Sequence, residues 1–147
     1  MTQSITAMVA VIATAIVTAC SDASGPKGYK DPAGTYTVAT LNGKTLPATM
    51  YADTNYLYEL TSGSASLTGD GKFVSVLNFR QTLPGSVSLF VDTVRGKWAL
   101  SGITVTFTNS LDTTATDQAT WSNAGKLTFV EPHDGGGSDT LVYAIKP

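Results

Sequence analysis

Apolar and polar residues alternate most regularly between positions 103 and 108, where Ile103, Val105 and Phe107 interleave with Thr104, Thr106 and Thr108. A period of two sends successive side chains to opposite faces of an extended chain, so this stretch predicts a strand with one apolar and one hydroxylated face. Leu141, Tyr143 and Ile145 repeat the pattern near the C-terminus. Short runs rich in Thr, Val, Tyr, Phe and Leu predict six more strands, at 35–41, 56–68, 72–82, 87–100 with a bend near Gly96, 118–122 and 126–131. From residue 33 onward no segment sustains a helical period.

The separators between these runs determine how they pair. Asn42-Gly43, Gly69-Asp70-Gly71, Pro84-Gly85, Ser101-Gly102 and Asn123-Ala124-Gly125 are turn signals in which glycine supplies the positive φ that tight hairpins require. Connections this short force antiparallel neighbours, because a parallel pair needs a crossover of a dozen residues or more. The predicted fold class is therefore all-β, an eight-stranded antiparallel meander barrel, with a β-sandwich as the alternative. Closure favours the barrel by removing exposed strand edges, and eight strands enclose an interior that side chains nearly fill or that holds one small ligand.

The first residues follow another pattern. From Ile5 to Ala19 the chain is apolar except for three threonines, and polar residues follow directly after Cys20. A membrane span takes about 20 apolar residues, so this shorter run reads instead as an export leader, helical in the precursor. Val17-Thr18-Ala19-Cys20 resembles the lipobox of bacterial lipoproteins. The resemblance implies a signal peptide over 1–19 and lipidation of the Cys20 sulfur with palmitate-class acyl chains. The membrane partner is then reached through acylated Cys20, at the cell envelope, and at the outer membrane in a Gram-negative organism because Ser21 rather than Asp follows. Each buried methylene of such a chain contributes about 0.8 kcal/mol of membrane affinity. Residues 20–32 have the Gly, Pro, Ser and mixed-charge composition of a flexible linker, which leaves 33–147 for the domain.

Composition narrows the function classes. Of the 147 residues 42% are hydrophobic and 14% charged, which suits one packed domain rather than a disordered chain. A net charge of −2 without a cluster of Lys and Arg predicts no nucleic-acid partner. A single cysteine permits no internal disulfide and no Cys-rich zinc site. His133 is the only histidine and no Gly-x-Ser-x-Gly elbow occurs, so no nucleophilic constellation is legible. The two glutamates, Glu59 and Glu131, fall on strands and are expected to face solvent or to pair with Arg80 or Arg95. The segment from Glu131 to Asp139 matches no calcium or zinc spacing and reads as a solvated hairpin connection. No enzyme activity, cofactor or metal is expected.

Gly34-Thr35-Tyr36-Thr37-Val38 followed by Asn42-Gly43-Lys44-Thr45-Leu46-Pro47 is similar to the opening of small lipocalin-like bacterial lipoproteins, with Tyr36 where lipocalins proper carry tryptophan. This resemblance implies a calycin-type barrel that holds a small hydrophobic ligand or lipid in its mouth. Tyr56 and Tyr58, on one face with Leu60, and Phe73, on one face with Leu77 and Phe79, are the candidate lining. The alternative is a solid barrel that acts as a structural or interaction module for an envelope protein, marked by an exposed apolar patch of more than a few hundred Å².

Overall fold

The structure, a computed structural model, describes residues 31–132 and 137–147. Cys20, the leader and most of the linker, together with His133, lie outside the described residues. Ten strands follow in chain order: β1 (Gly34–Leu41), β2 (Lys44–Thr45), β3 (Ala48–Ala52), β4 (Leu57–Leu67), β5 (Lys72–Leu83), β6 (Ser86–Ser101), β7 (Thr104–Asn109), β8 (Thr116–Ser122), β9 (Lys126–Pro132) and β10 (Ser138–Ile145).

From β4 to β10 each strand pairs antiparallel with the next. The first strand closes the circle. β1 pairs with β10, from Tyr36 opposite Ile145 to Leu41 opposite Leu141, and with β4, from Gly34 opposite Leu67 to Thr37 opposite Ser64. A single sheet joined to itself through eight strands is a closed antiparallel barrel of lipocalin-like architecture, and it excludes the sandwich. The excursion from β1 to β4 adds β2 beside β1 and β3 beside the first residues of β4. These two strands are too short, or too weakly alternating, to stand out in the sequence.

All five turn signals coincide with hairpins. Asn42 and Gly43, at φ 52° and 76°, form the turn between β1 and β2, and the other four turns each place a glycine at positive φ. Gly96 does not break its strand: β6 runs unbroken through it from Ser86 to Ser101. Its role is close approach, because a Cβ there would collide with the carbonyl oxygen of Thr108 on β7.

Two bulges set which residues face inward. In β1 the register against β10 shifts between Val38 and Thr40, so Tyr36 and Val38 face the core and then, one step out of phase, so does Leu41. In β4 a shift between Leu60 and Ser62 likewise brings Leu60 onto the side of Ala65 and Leu67. The main interior cluster is built on Tyr36, Val105 and Leu127, each at most 1% exposed, with Phe73, Phe107, Trp121 and Tyr143 around them. Leu41, Ala48 and Leu60 form a second cluster, which joins β3 to the barrel. The buried Tyr36 hydroxyl donates to the carbonyl of Pro32 at 2.7 Å, so Pro32, the last residue of the linker composition, is itself packed.

The first half of β6 departs from the barrel wall. β7 pairs with it only from Gly96 onward, leaving Ser86–Val94 paired to β5 alone among the described residues. Val87, Leu89 and Val91 project from the outer face of this free edge, Leu89 at 76% exposure.

Burial predicts where the chain tolerates truncation. Leu127→Ala should lower unfolding free energy by about 2–5 kcal/mol, whereas Leu111→Ala, at a residue 93% exposed, should change it by less than about 0.5 kcal/mol. Urea unfolding followed by tryptophan fluorescence measures both.

Candidate ligand cavity of the barrel

The inward faces of seven strands leave a cavity of about 170 Å³. Its walls carry Phe73, Ser75 and Leu77 from β5, Phe107 from β7, Leu127 and Phe129 from β9, and Leu141 and Tyr143 from β10. An apolar cavity of roughly 150 Å³ holds one benzene ring, so this interior accommodates a single ring or a short branched chain and not a whole lipid.

Four of the lining rings form a continuous belt. Phe73 meets Phe107 edge-on at 5.0 Å, Phe107 lies 5.3 Å from Phe129, and Phe129 meets Tyr143 edge-on at 5.6 Å. These are separations at which the ring quadrupoles attract, so the belt holds its shape around the space it encloses. One polar pair interrupts it, the Ser75 and Tyr143 hydroxyls at 3.3 Å. Burial raises the Tyr143 pKa above its ordinary value of 10.0; the Ser75 hydrogen bond opposes the shift and the negative charge of Glu131 adds to it.

At one end the lining changes character, with Asp92 from β6, Asp117 from β8 and Glu131 from β9 all exposed. Strand direction explains why they share an end. β6 and β8 enter the cavity lining with an acid, Asp92 before Val94 and Asp117 before Ala119, while the antiparallel β9 leaves it on one, Leu127, Phe129, then Glu131. The cavity therefore opens to water through a mouth bearing three carboxylates. No Lys, Arg or His lines it among the described residues. The nearby bases stand outside the barrel, where Lys72, Arg95 and Lys97 border a separate outer groove.

Phe73 and Leu77 of the candidate lining are in the cavity wall. Phe79 is the next inward residue of β5 beyond it and packs against the Leu41–Leu60 cluster. Tyr58 stacks on Phe79 at 5.3 Å with rings 10° from parallel, Tyr56 follows at 6.3 Å and Tyr51 at 5.6 Å from Tyr56. This aromatic ladder is not part of the cavity wall; the Tyr58 pKa is raised by burial first, then by Tyr56 and by the Asp92 charge. The two glutamates are not brought together. Glu59, on the opposite face of β4 from Leu60 and yet buried, accepts from Arg80 Nε and Nη2, each at 2.8 Å, while Glu131 lines the cavity without Arg95.

Sequence reasoning did not find Asp92, Asp117, Ser75 or the Tyr143 hydroxyl as lining residues. The available signal was an acid at the end of a period-two apolar series on β8 and β9 and within one on β6, and it acquires meaning only once strand direction places those acids at one end.

No protein-family model, curated protein or solved structure matches this chain.

Tyr143 supplies a pH test. Its folded pKa is raised, so above pH 10 the unfolded chain ionises while the folded one keeps its proton, and folding stability falls as pH rises through that window. Ultraviolet titration of the folded protein should show late-ionising tyrosines, Tyr51 and Tyr58 being raised as well, and Tyr143→Phe should remove one tyrosine's share of that late absorbance; an unchanged titration would contradict the placement of this hydroxyl.

Proposed function

We propose that this protein is a binding module of the bacterial cell envelope, held at the membrane through an acylated Cys20 and carrying a small, compact apolar ligand group inside its barrel. The cavity carries this reading. An aromatic belt around about 170 Å³, open at one end, is a preformed site of the concave, mostly apolar kind that small ligands occupy. The anchor is supported by the lipobox-like Val17-Thr18-Ala19-Cys20 at the end of an apolar run. The role is binding rather than catalysis: the one side-chain hydrogen bond of Ser75 among the described residues is to the Tyr143 hydroxyl, which holds its own proton to above pH 10 and is a poor base.

Toluene titrated into the labelled protein should shift the ring resonances of Phe107, Phe129 and Tyr143, and Phe129→Trp, by filling the space, should abolish the shifts. A dry, unresponsive interior would end the ligand reading. Mass spectrometry of the protein purified from membranes should find Cys20 at the mature N-terminus with a diacylglyceryl thioether; an unmodified sulfur or a retained leader would remove the anchor while leaving the cavity untouched.

The free edge of β6 favours a second reading, an interaction module. Ser86–Val94 offers unpaired backbone groups beside Val87, Leu89 and Val91, with no Lys, Pro or bulge to block an added strand. A photo-crosslinking residue at position 89 should capture an envelope protein in intact cells, and Val91→Lys should reduce that capture without altering toluene binding. Capture that is absent, or indifferent to Val91→Lys, would count against this surface.

A further inference from the structure

We propose that the ligand is an organic cation, with one ring or a short chain filling the aromatic belt and a protonated amine held at the carboxylate-bearing mouth. This rests on the binding reading above and names the class of molecule the same cavity takes.

Three observations support it, and the cavity is the first. It accepts an apolar group on size and lining alone, whatever the charges at its opening. The second is the sorting of charge by face. Asp92, Asp117 and Glu131 line the cavity, and none has an ion-pair or hydrogen-bond partner among the described residues. Arg95, on the same strand as Asp92 but of opposite parity, is turned to the outer groove with Lys72 and Lys97. A carboxylate or phosphate ligand would therefore bring its charge to a mouth that already holds three negative groups and no base, whereas an ammonium group would meet unpaired acceptors.

The third is the aromatic surface at the same end. Glu131 is the next inward residue of β9 after Phe129, whose ring abuts Tyr143, and Asp92 acts on Tyr58, which stacks on the inward Phe79. A cation held by Glu131 is thus one same-face step from an aromatic ring, and ring faces attract cations through their quadrupoles. A bare metal ion does not fit as well, because among the described residues no three acidic or imidazole side chains group closely enough to hold one. The acceptors are spread around the opening, which suits a hydrogen-bonding ammonium group with an apolar body more than a compact ion.

The test is a charge series on one ring, with benzylamine, benzyl alcohol and benzoate titrated at neutral pH into the mature full-length protein and followed by calorimetry. Benzylamine should bind about fivefold to tenfold more tightly than benzyl alcohol, and benzoate should bind least. High salt should shrink the benzylamine preference while leaving benzyl alcohol unaffected. The triple variant Asp92→Asn, Asp117→Asn, Glu131→Gln should bring the amine down to the affinity of the alcohol. Benzyl alcohol binding as tightly as benzylamine, or a preference insensitive to salt, would overturn the cation while leaving the apolar cavity standing. Failure of all three compounds to bind would overturn the binding reading itself. The wild-type series is decisive even if the variant does not fold.

Discussion

The hydrogen bonds that β1 makes along both of its edges hold the architecture together. β4 to β10 form a continuous meander whose terminal strands would otherwise lie open, with their inward apolar faces exposed. β1 joins the two ends, pairing with β10 over Tyr36–Leu41 and with β4 over Gly34–Thr37. Its register is held by Tyr36, which is completely buried, belongs to the main core and reaches back to the Pro32 carbonyl. A slip of one residue would carry Tyr36 and Val38 to the outside, so the burial that stabilises the strand also specifies its pairing.

Closure produces the cavity as well as the core. Eight strands leave little more interior than their side chains fill. Here the remaining space lies within the belt of Phe73, Phe107, Phe129 and Tyr143, while Trp121 is buried at the end of β8 away from Asp117. Trp121 Nε1 is buried without a hydrogen-bond partner among the described residues, a donor whose desolvation costs about 1–3 kcal/mol.

The β3–β4–β5–β6 side of the molecule differs from the rest of the wall. The ladder Tyr51, Tyr56, Tyr58 and Phe79 lies on this side, and the free edge of β6 carries exposed Val87, Leu89 and Val91. Here too the bulge in β4 matters, because it places Leu60 inside while leaving Glu59 to pair with Arg80 on the other face. Cavity and edge are thus separate surfaces, one facing the barrel interior and the other facing away from it.

Strand existence, antiparallel order and turn positions were legible in the sequence because they follow from local chemistry: period-two alternation in Ile103–Thr108, and glycine at the positive φ that each hairpin needs. Strand count and the cost of open edges favoured closure, but the sandwich was ruled out only by β1 pairing with both β10 and β4. The candidate site was legible only in part. Phe73 and Leu77 shared a visible alternation, but Tyr56 and Tyr58 showed the same local signature and lie outside the cavity. Parity within one strand says that two residues share a face, not which face, and the bulges in β1 and β4 reset parity without any mark in composition. The grouping of Asp92, Asp117 and Glu131 was decided by the tertiary structure alone, because residues far apart in sequence meet at one end of a barrel only when strand direction and shear are set by the closed sheet.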